Sequence, residues 1–207
     1  MPAITFDQPV FSLRQAEAMA RELYGLCATA RPLPSERDQN FVLATAAGER
    51  FVLKIANAGE ERDALDLQNA ALLHVAARDP GLVLPRVCPS IGGRAIETVG
   101  DDSGVPHLVR LLTWVEGTVM AHGAPHLLPL LDSLGQLLGR LDAALQSFSH
   151  DAAERDLKWD PRRAGWITSH FDAVEDPKRR ELVRRIFAWA EREVTRLAPA
   201  LRIVMRP

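Results

Sequence analysis

The sequence predicts an α+β protein in which strands occupy the first half of the chain and helices alone the second. Two stretches in the first half, "QNFVLAT" and "ERFVLKI", alternate apolar and polar residues and flank "AAG", as expected of a β-hairpin. Two long amphipathic runs in the second half, residues 126–148 and 176–198, show helical periodicity. The 207-residue chain is therefore long enough for one large domain or two small lobes.

The amino-acid composition limits which binding partners and which cellular compartment we expect for this protein. A net charge of −2 with 25% charged residues argues against a nucleic-acid or anionic-membrane partner held mainly by electrostatics. The N-terminus does not look like a signal peptide, and no run approaches the roughly 18 apolar residues of a membrane span. Cys27 and Cys88 lie far apart and fit no metal or disulfide spacing, so we expect a reduced, cytoplasmic protein.

Capping residues, helical periodicity and turn residues predict the remaining helices and strands of the first half. Ser12 and Gln15 form a capping-box pattern that begins a helix, and Gly25 ends it. A second helix is predicted within residues 60–77 by its apolar stripe. Two further strands, "RAIETV" and "HLVRLL", are separated by the turn-rich "GDDSG".

Lys54 stands in an otherwise apolar strand. Because side chains alternate between the two faces of a strand, Phe51, Leu53 and Ile55 share one face, and Val52 and Lys54 share the other. A charged group on a half-apolar face either points into water or binds a partner. His107, His122 and His126 fit no metal-binding spacing, so we expect core or surface roles for them.

Several ordered motifs between about residues 10 and 202 carry a family resemblance, namely "LPSERDQNFVL", "RFVLKIANAGE", "ALDLQNAALLHVAA", "LVRLLTWVEGT" and "LDAALQSFSH" followed by "RDLKWD". Together they resemble the aminoglycoside-phosphotransferase and hydroxylysine-kinase-like family, some bacterial members of which are fused ahead of a class III aminotransferase. The resemblance implies a protein-kinase-like fold. It places a small β-rich N-lobe at 1–112, a hinge at 113–117 and an incomplete helical C-lobe at 118–207.

The resemblance also implies a nucleotide site on the small lobe. Lys54 would bind the nucleotide phosphates, as the corresponding strand lysine does in kinases, and Val52 would pack against adenine. Residues 35–40 would cover the phosphates through the Ser35 hydroxyl and backbone N–H groups, since no glycine is present there. The alternative for this loop is a plain polar turn.

The helix after this strand would supply a partner for Lys54. Asp66 is the charged candidate, while Gln68 and Asn69 lie close enough in sequence to take its place. The alternative for Asp66 is an exposed helix charge.

The chain segment between the lobes would meet the adenine edge. The resemblance implies that backbone groups of Leu112, Thr113 and Trp114 do so. An equally good alternative for Trp114 is packing at the lobe interface.

The complete family enzyme would use ATP or GTP with Mg²⁺ and phosphorylate a hydroxyl of an amino-acid-like or amino-alcohol small molecule. Its catalytic Asp and Asn come from a His-Gly-Asp-x-x-x-x-Asn loop, followed by a metal-binding Asp. This sequence has asparagine only at 40, 57 and 69 and ends at Pro207, as a truncated or frameshifted chain would. We therefore expect no catalytic or metal-binding residue here and no phosphoryl transfer by the chain alone. The alternatives are a nucleotide-binding pseudokinase and an interaction module.

A partial helical lobe would leave apolar surface uncovered. We expect the helices at 127–149 and 177–197 to expose their apolar stripes and to promote self-association.

Overall fold

The computed structural model describes residues 8–120, 128–154 and 160–201. The chain forms two compact units, the first ending at Phe148 and the second beginning at Ser149. The first unit holds the sheet together with three helices. The predicted lobe boundary at residue 112 and hinge at 113–117 remain predictions.

Counted over the described residues of both units, the first contains six strands and three helices. The strands are β1 (Ala28–Leu33), β2 (Gln39–Thr45), β3 (Arg50–Ile55), β4 (Val87–Cys88), β5 (Glu97–Gly100) and β6 (Pro106–Thr113). The helices are α1 (Leu13–Tyr24), α2 (Arg62–Arg78) and α3 (Leu128–Leu145). The second unit contains two 3₁₀ segments, Asp151–Glu154 and Pro161–Ala173, and helix α4 (Pro177–Leu201).

The sheet is antiparallel, with strand order β1-β2-β3-β6-β4, and β5 also pairs with β6. The predicted hairpin is confirmed: β2 and β3 pair with Val42 opposite Val52. Gly48 in the connecting turn has φ +85°, a conformation that glycine adopts at little cost. The two-residue strand β4 was not predicted, because two residues show no period.

Helix α1 begins and ends as its sequence predicts. The Ser12 hydroxyl accepts a hydrogen bond from the Gln15 N–H, and the Gln15 side chain accepts one from the Ser12 N–H at 2.7 Å. Gly25 ends the helix with φ +68°, and its N–H donates to the Arg21 carbonyl. Leu23 and the buried Met19 pack this helix against one face of the sheet.

The sheet has a closed face and an open face, named for what covers them. The closed face packs against α1 and carries the main core, formed by Ala30, Phe41, Leu43, Leu53, Ile55, Val109 and Leu111. His107 also belongs to this face: it is buried against Phe11, and its Nδ1 lies 2.9 Å from the Ala56 carbonyl. This placement confirms the core role for His107, whereas His122 and His126 lie outside the described residues.

The open face is covered only in part, by α2. Leu65 of α2 packs with Ala56 and Ile96 at one end. Further along, Val75 meets Ala144 of α3. Two hydrogen bonds of 2.7 and 2.8 Å from the Arg140 guanidinium to the Asp79 carboxylate tie the end of α2 to α3.

The second unit pairs its longer 3₁₀ segment with α4. Phe171 and Phe187 meet edge to face, and Arg184 bonds Asp172 at 3.2 Å. Large apolar side chains lie exposed on both long helices, namely Leu128, Leu130, Leu131, Leu137 and Leu138 on α3 and Leu182, Val183, Ile186, Trp189 and Leu197 on α4. Within the described ranges, no helix has the length and apolar character needed to span a membrane.

Candidate functional site

Strand pairing arranges the side chains of the open face in two adjacent rows. The apolar row consists of Val42, Val52, Leu112 and Val87 on four neighbouring strands. The polar row consists of Asn40, Lys54 and Arg110. Since the rows lie two residues apart along each strand, they are separated by about 6.5–7 Å. An apolar surface and a cationic strip therefore lie side by side.

Lys54 is half-buried and lies directly opposite Arg110. Burial lowers the pKa of its ammonium, the neighbouring Arg110 charge lowers it further, and Asp38 acts in the opposite direction. Among the described residues, Lys54 forms no ion pair. Its ammonium is thus partly desolvated while no carboxylate lies in contact with it.

Arg110 is more deeply buried, at 5% exposure. Its guanidinium donates one hydrogen bond to the Asn69 side-chain carbonyl at 3.0 Å and another to that of Gln68. Burial lowers the pKa of Arg110, and the charges of Asp38 and Glu60 oppose this shift. Helix α2 is therefore fastened to the sheet through a buried arginine held by two neutral amides.

The helix residue predicted to hold Lys54 forms no ion pair with it among the described residues. Asp66 is half-exposed on α2, while Gln68 and Asn69, the two alternatives, face Arg110 instead. The assignment of Asp66 as the partner of Lys54 remains a prediction, since nothing in the structure pairs the two.

The loop predicted at residues 35–40 is shorter than expected. Asn40 lies within β2, directly opposite Lys54, because its backbone continues the ladder with β3. The Ser35 carbonyl accepts a hydrogen bond from the Gln8 side chain at 3.3 Å, and the role of its hydroxyl at a phosphate remains a prediction. At the end of this loop, the Asp38 carboxylate accepts bonds of 3.2 Å from the backbone and side-chain N–H groups of Asn57.

The segment predicted to meet adenine is tied into the sheet. The Thr113 N–H donates to the Arg86 carbonyl at 2.9 Å, and the Trp114 N–H donates to the Arg50 carbonyl at 3.2 Å. These two donors are therefore already used, and only other backbone groups of this segment remain for an adenine edge. The contacts of Leu112, Thr113 and Trp114 with a nucleotide remain predictions.

Trp114 also packs against a charged side chain. The Arg50 guanidinium lies 5.1 Å from the centre of its ring, in cation–π geometry, and forms an ion pair with Glu116. This contact lies at the end of β3 nearest the apolar row, four residues before Lys54 in the sequence.

Buried polar atoms on the open face are left without partners. Among the described residues, Asn40 Oδ1, Asn69 Nδ2 and Arg110 Nε are buried and have no hydrogen-bond partner. Buried polar groups are nearly always paired in folded proteins, and leaving one unpaired costs about 1–3 kcal/mol. Such a cluster around Lys54 is typical of a site that completes its hydrogen bonds with water or a ligand.

The charges around the polar row favour an anion. Three cations, Arg37, Lys54 and Arg110, lie near two carboxylates, Asp38 and Glu60, and Arg37 pairs with Glu60 at 3.9 Å. The two adjacent cations of the polar row, Lys54 and Arg110, beside an apolar row suit a ligand with a flat apolar base and a phosphate tail. Within the described ranges no cluster of three or more His, Cys, Asp or Glu residues could hold a metal ion.

Sequence reasoning missed Arg110 and Asp38. Arg110 interrupts the apolar run "HLVRLL" as Lys54 interrupts "RFVLKI", so the same question applied to both strands would have found it. Asp38 carries no comparable signal, because it lies among other polar residues in a turn.

Comparison with known proteins gives concordant results. Residues 29–204 match the phosphotransferase enzyme family. Hydroxylysine kinase from Mus musculus is 28% identical over 90% of this chain and 54% of its own length. Hydroxylysine kinase from Danio rerio is 33% identical over 70% of this chain and 41% of its own length. The chain thus spans about half the length of the curated relatives it matches.

Two solved structures share the fold. An amicoumacin kinase in complex with AMP-PNP and Ca²⁺ superposes with a TM-score of 0.64 and 15% identity, over 93% of this chain and 55% of the other. A microcompartment-associated aminopropanol kinase superposes with a TM-score of 0.55 and 20% identity, over 77% of this chain and 49% of the other. These similarities confirm the predicted α+β, protein-kinase-like fold.

Proposed function

The chain belongs to the phosphotransferase enzyme family, and from this premise we propose that it is the nucleotide-binding part of an ATP-dependent small-molecule kinase. The nucleotide is ATP or GTP, used with Mg²⁺ in the complete enzyme. The acceptor is a hydroxyl of an amino-acid-like or amino-alcohol compound, as the names of the related hydroxylysine and aminopropanol kinases suggest.

The two-row arrangement of the open face carries this proposal. Lys54 offers an ammonium that no carboxylate of the described residues pairs with, next to the apolar row around Val52. The unpartnered buried atoms of Asn40 and Arg110 support a polar ligand at the same place. A nucleotide supplies both parts, a flat base for the apolar row and phosphates for the cation.

We also propose that the isolated chain binds nucleotide without transferring phosphate. Transfer requires an Asp to orient the acceptor and an Asn to hold metal. The three asparagines of the sequence all serve the sheet unit: Asn40 lies in β2, Asn57 bonds Asp38, and Asn69 bonds Arg110. A nucleotide-binding pseudokinase is the alternative reading of the same site.

The test is nucleotide binding by calorimetry, with thermal denaturation as a second readout. We expect ATP or GTP to bind the wild-type chain and to raise its melting temperature, because a ligand of the native state stabilises it. Lys54→Met should weaken ATP binding at least tenfold, the loss expected for one charge-assisted phosphate contact of about 1.5–3 kcal/mol. The matched control is Lys178→Met, which changes an exposed lysine of the second unit.

Two results would contradict the proposal. One is a wild-type chain that binds neither ATP nor GTP at millimolar concentration. The other is a Lys54→Met variant that binds as tightly as the Lys178→Met control.

The exposed helices support a further prediction, self-association in solution. Leu182, Ile186 and Trp189 recur along one side of α4, and Trp189 is 58% exposed. Sedimentation at increasing concentration should show a rising mean mass, and Trp189→Gln should reduce it. A single monomeric species at all concentrations would contradict the prediction.

A further inference from the structure

Two like charges lie directly opposite each other on the central strands of the sheet. Lys54 of β3 pairs in register with Arg110 of β6, so both side chains project from the open face. Opposed like charges destabilise a sheet, and partial burial strengthens the repulsion. Such a pair is retained at a cost in stability, which calls for a physical role.

The two cations differ in how they are held. Arg110 donates to the side-chain carbonyl oxygens of Asn69 and Gln68 on α2. Among the described residues, Lys54 has no such acceptor on α2, and Asp66 forms no ion pair with it.

We propose that Arg110 is a positioning residue for Lys54. Arg110 holds α2 against the sheet through its bonds to the two amides. Its positive charge directs the Lys54 ammonium away from the helix and towards an anionic ligand. The inference rests on the proposed nucleotide site and deepens it, because it names a second residue that shapes how the phosphates are bound.

The surrounding charges agree with this role. The charged groups on the neighbouring elements are Arg37 and Asp38 from the loop before β2, Glu60 from the segment before α2, and Asp66 on α2. Of these, the charge of Asp38 acts on both cations and that of Glu60 on Arg110. Asp38 is already bonded by Asn57, and Glu60 lies 3.9 Å from Arg37. Asp38 acts on Lys54 through its charge, but neither carboxylate forms an ion pair with the Lys54 ammonium among the described residues.

The titration of Lys54 offers a direct readout. The pKa of Lys54 is lowered by burial first and by the Arg110 charge second. Removing the guanidinium charge should therefore raise the pKa of Lys54. Loosening α2 would also raise this value, because it would expose Lys54 to water, so a variant that loosens α2 without removing the Arg110 charge is needed as the control.

The first experiment measures the pH dependence of amine labelling at Lys54 by mass spectrometry, with no nucleotide present. Lys178 is the internal reference within each sample. In Arg110→Gln, the labelling midpoint of Lys54 should move to higher pH, while that of Lys178 stays constant. Arg62→Gln is the matched control, since Arg62 also ties α2 to the sheet, through the Ile96 carbonyl and Thr98, and bonds no residue of the polar row. An unchanged midpoint in Arg110→Gln, or an equal shift in Arg62→Gln, would overturn the proposal.

The second experiment compares ATP, inorganic triphosphate and adenosine by calorimetry. Arg110→Gln should weaken ATP and triphosphate about tenfold, the effect of removing one charge roughly 10 Å away at an effective dielectric constant of about 20. Adenosine binding should change less than about twofold, because it carries no charge for Arg110 to act on. Equal losses for all three ligands would overturn the proposal, since they would mean that Arg110 only maintains the fold.

A charge-preserving variant covers the case in which Arg110→Gln does not fold. Arg110→Lys keeps the positive charge but loses the two-pronged contact with the amides. It should retain triphosphate affinity within about threefold of wild type, since the charge term is preserved. A tenfold loss in a folded Arg110→Lys would overturn the proposal.

The triphosphate arm separates this inference from the proposed function. A chain that binds triphosphate but not ATP, and loses triphosphate in Arg110→Gln, would refute the nucleotide function and support the role of Arg110. A chain that binds ATP equally well with and without the Arg110 charge would support the nucleotide function and refute the role of Arg110.

Discussion

The two faces of the sheet differ in the side chains they carry, although successive residues of each strand point alternately to one face and the other. The closed face is largely apolar and packs against α1, with Leu53 and Ile55 wholly buried. The open face carries Lys54 and Arg110, partly covered by α2. The closed face stabilises the fold through its apolar core, whereas the open face places two cations opposite each other at a cost in stability.

The buried charged groups on the two faces differ in whether they have a partner of opposite charge. Glu97, on the closed face, is buried but bonds Arg94 at 2.9 Å, and Arg94 and Ser90 together lower the pKa of its carboxyl. Lys54, on the open face, is partly buried beside a second cation and has no ion-pair partner among the described residues. Proteins retain such unbalanced groups at functional sites, where consistency between sequence and fold is relaxed.

The largest expected effect comes from truncation on the closed face. Leu53→Ala should lower the free energy of unfolding by about 2–5 kcal/mol, because it removes a fully buried side chain from the main core. Val52→Ala, one residue earlier on the open face and only half-buried, should cost less than about half as much. Urea denaturation measures both. Equal losses at the two positions would contradict the distinction between the faces.

A smaller effect is expected where α1 ends. Gly25→Ala should cost about 1 kcal/mol, because alanine is strained at φ +68°. The added Cβ would lie 3.7 Å from Ile91, an ordinary contact, so the cost arises from the backbone. The control is Gly135→Ala within α3, where no atom lies within 4 Å and alanine favours the helix, so stability should rise. The same sign of change in both variants would refute this explanation.

The smallest change in the free energy of unfolding is expected for Lys54→Met on the open face, and we expect no loss of stability there. Lys54→Met should leave the free energy of unfolding at neutral pH unchanged or raised, since it removes a partly buried charge. The pKa of Lys54 is lower in the folded chain than its ordinary value of 10.5, so the unfolded chain binds more protons between these two values. The stability of the wild type relative to Lys54→Met should therefore rise with pH through that window. A loss of stability in Lys54→Met at pH 7 would show that Lys54 has a stabilising partner.

Local signals in the sequence predicted much of the fold. The hairpin strands begin and end within one residue of the predicted positions, because period-two alternation and a glycine turn are both local. The capping box and Gly25 fixed α1 for the same reason. The two-residue β4 and the 3₁₀ segment at 161–173 were missed, since neither shows a strand or α-helix period.

The candidate site was predicted less completely. Lys54 and Val52 were found because face alternation is readable within one strand. Arg110 was missed because its position opposite Lys54 depends on which strands pair and in which register, and β6 follows β3 by fifty residues. Asn40 lies in the strand "QNFVLAT" that alternation predicted, and only the family resemblance extended the loop over the phosphates as far as residue 40.

The most direct test of the central claim is protection of Lys54 from amine labelling by ATP in the wild-type chain. Labelling of Lys54 and of Lys178 is measured by mass spectrometry with and without saturating ATP and Mg²⁺. A nucleotide on the open face should slow labelling of Lys54 at least tenfold, since protection follows site occupancy, and leave Lys178 unchanged. Equal labelling of Lys54 with and without ATP would contradict the assignment of this face as the nucleotide site.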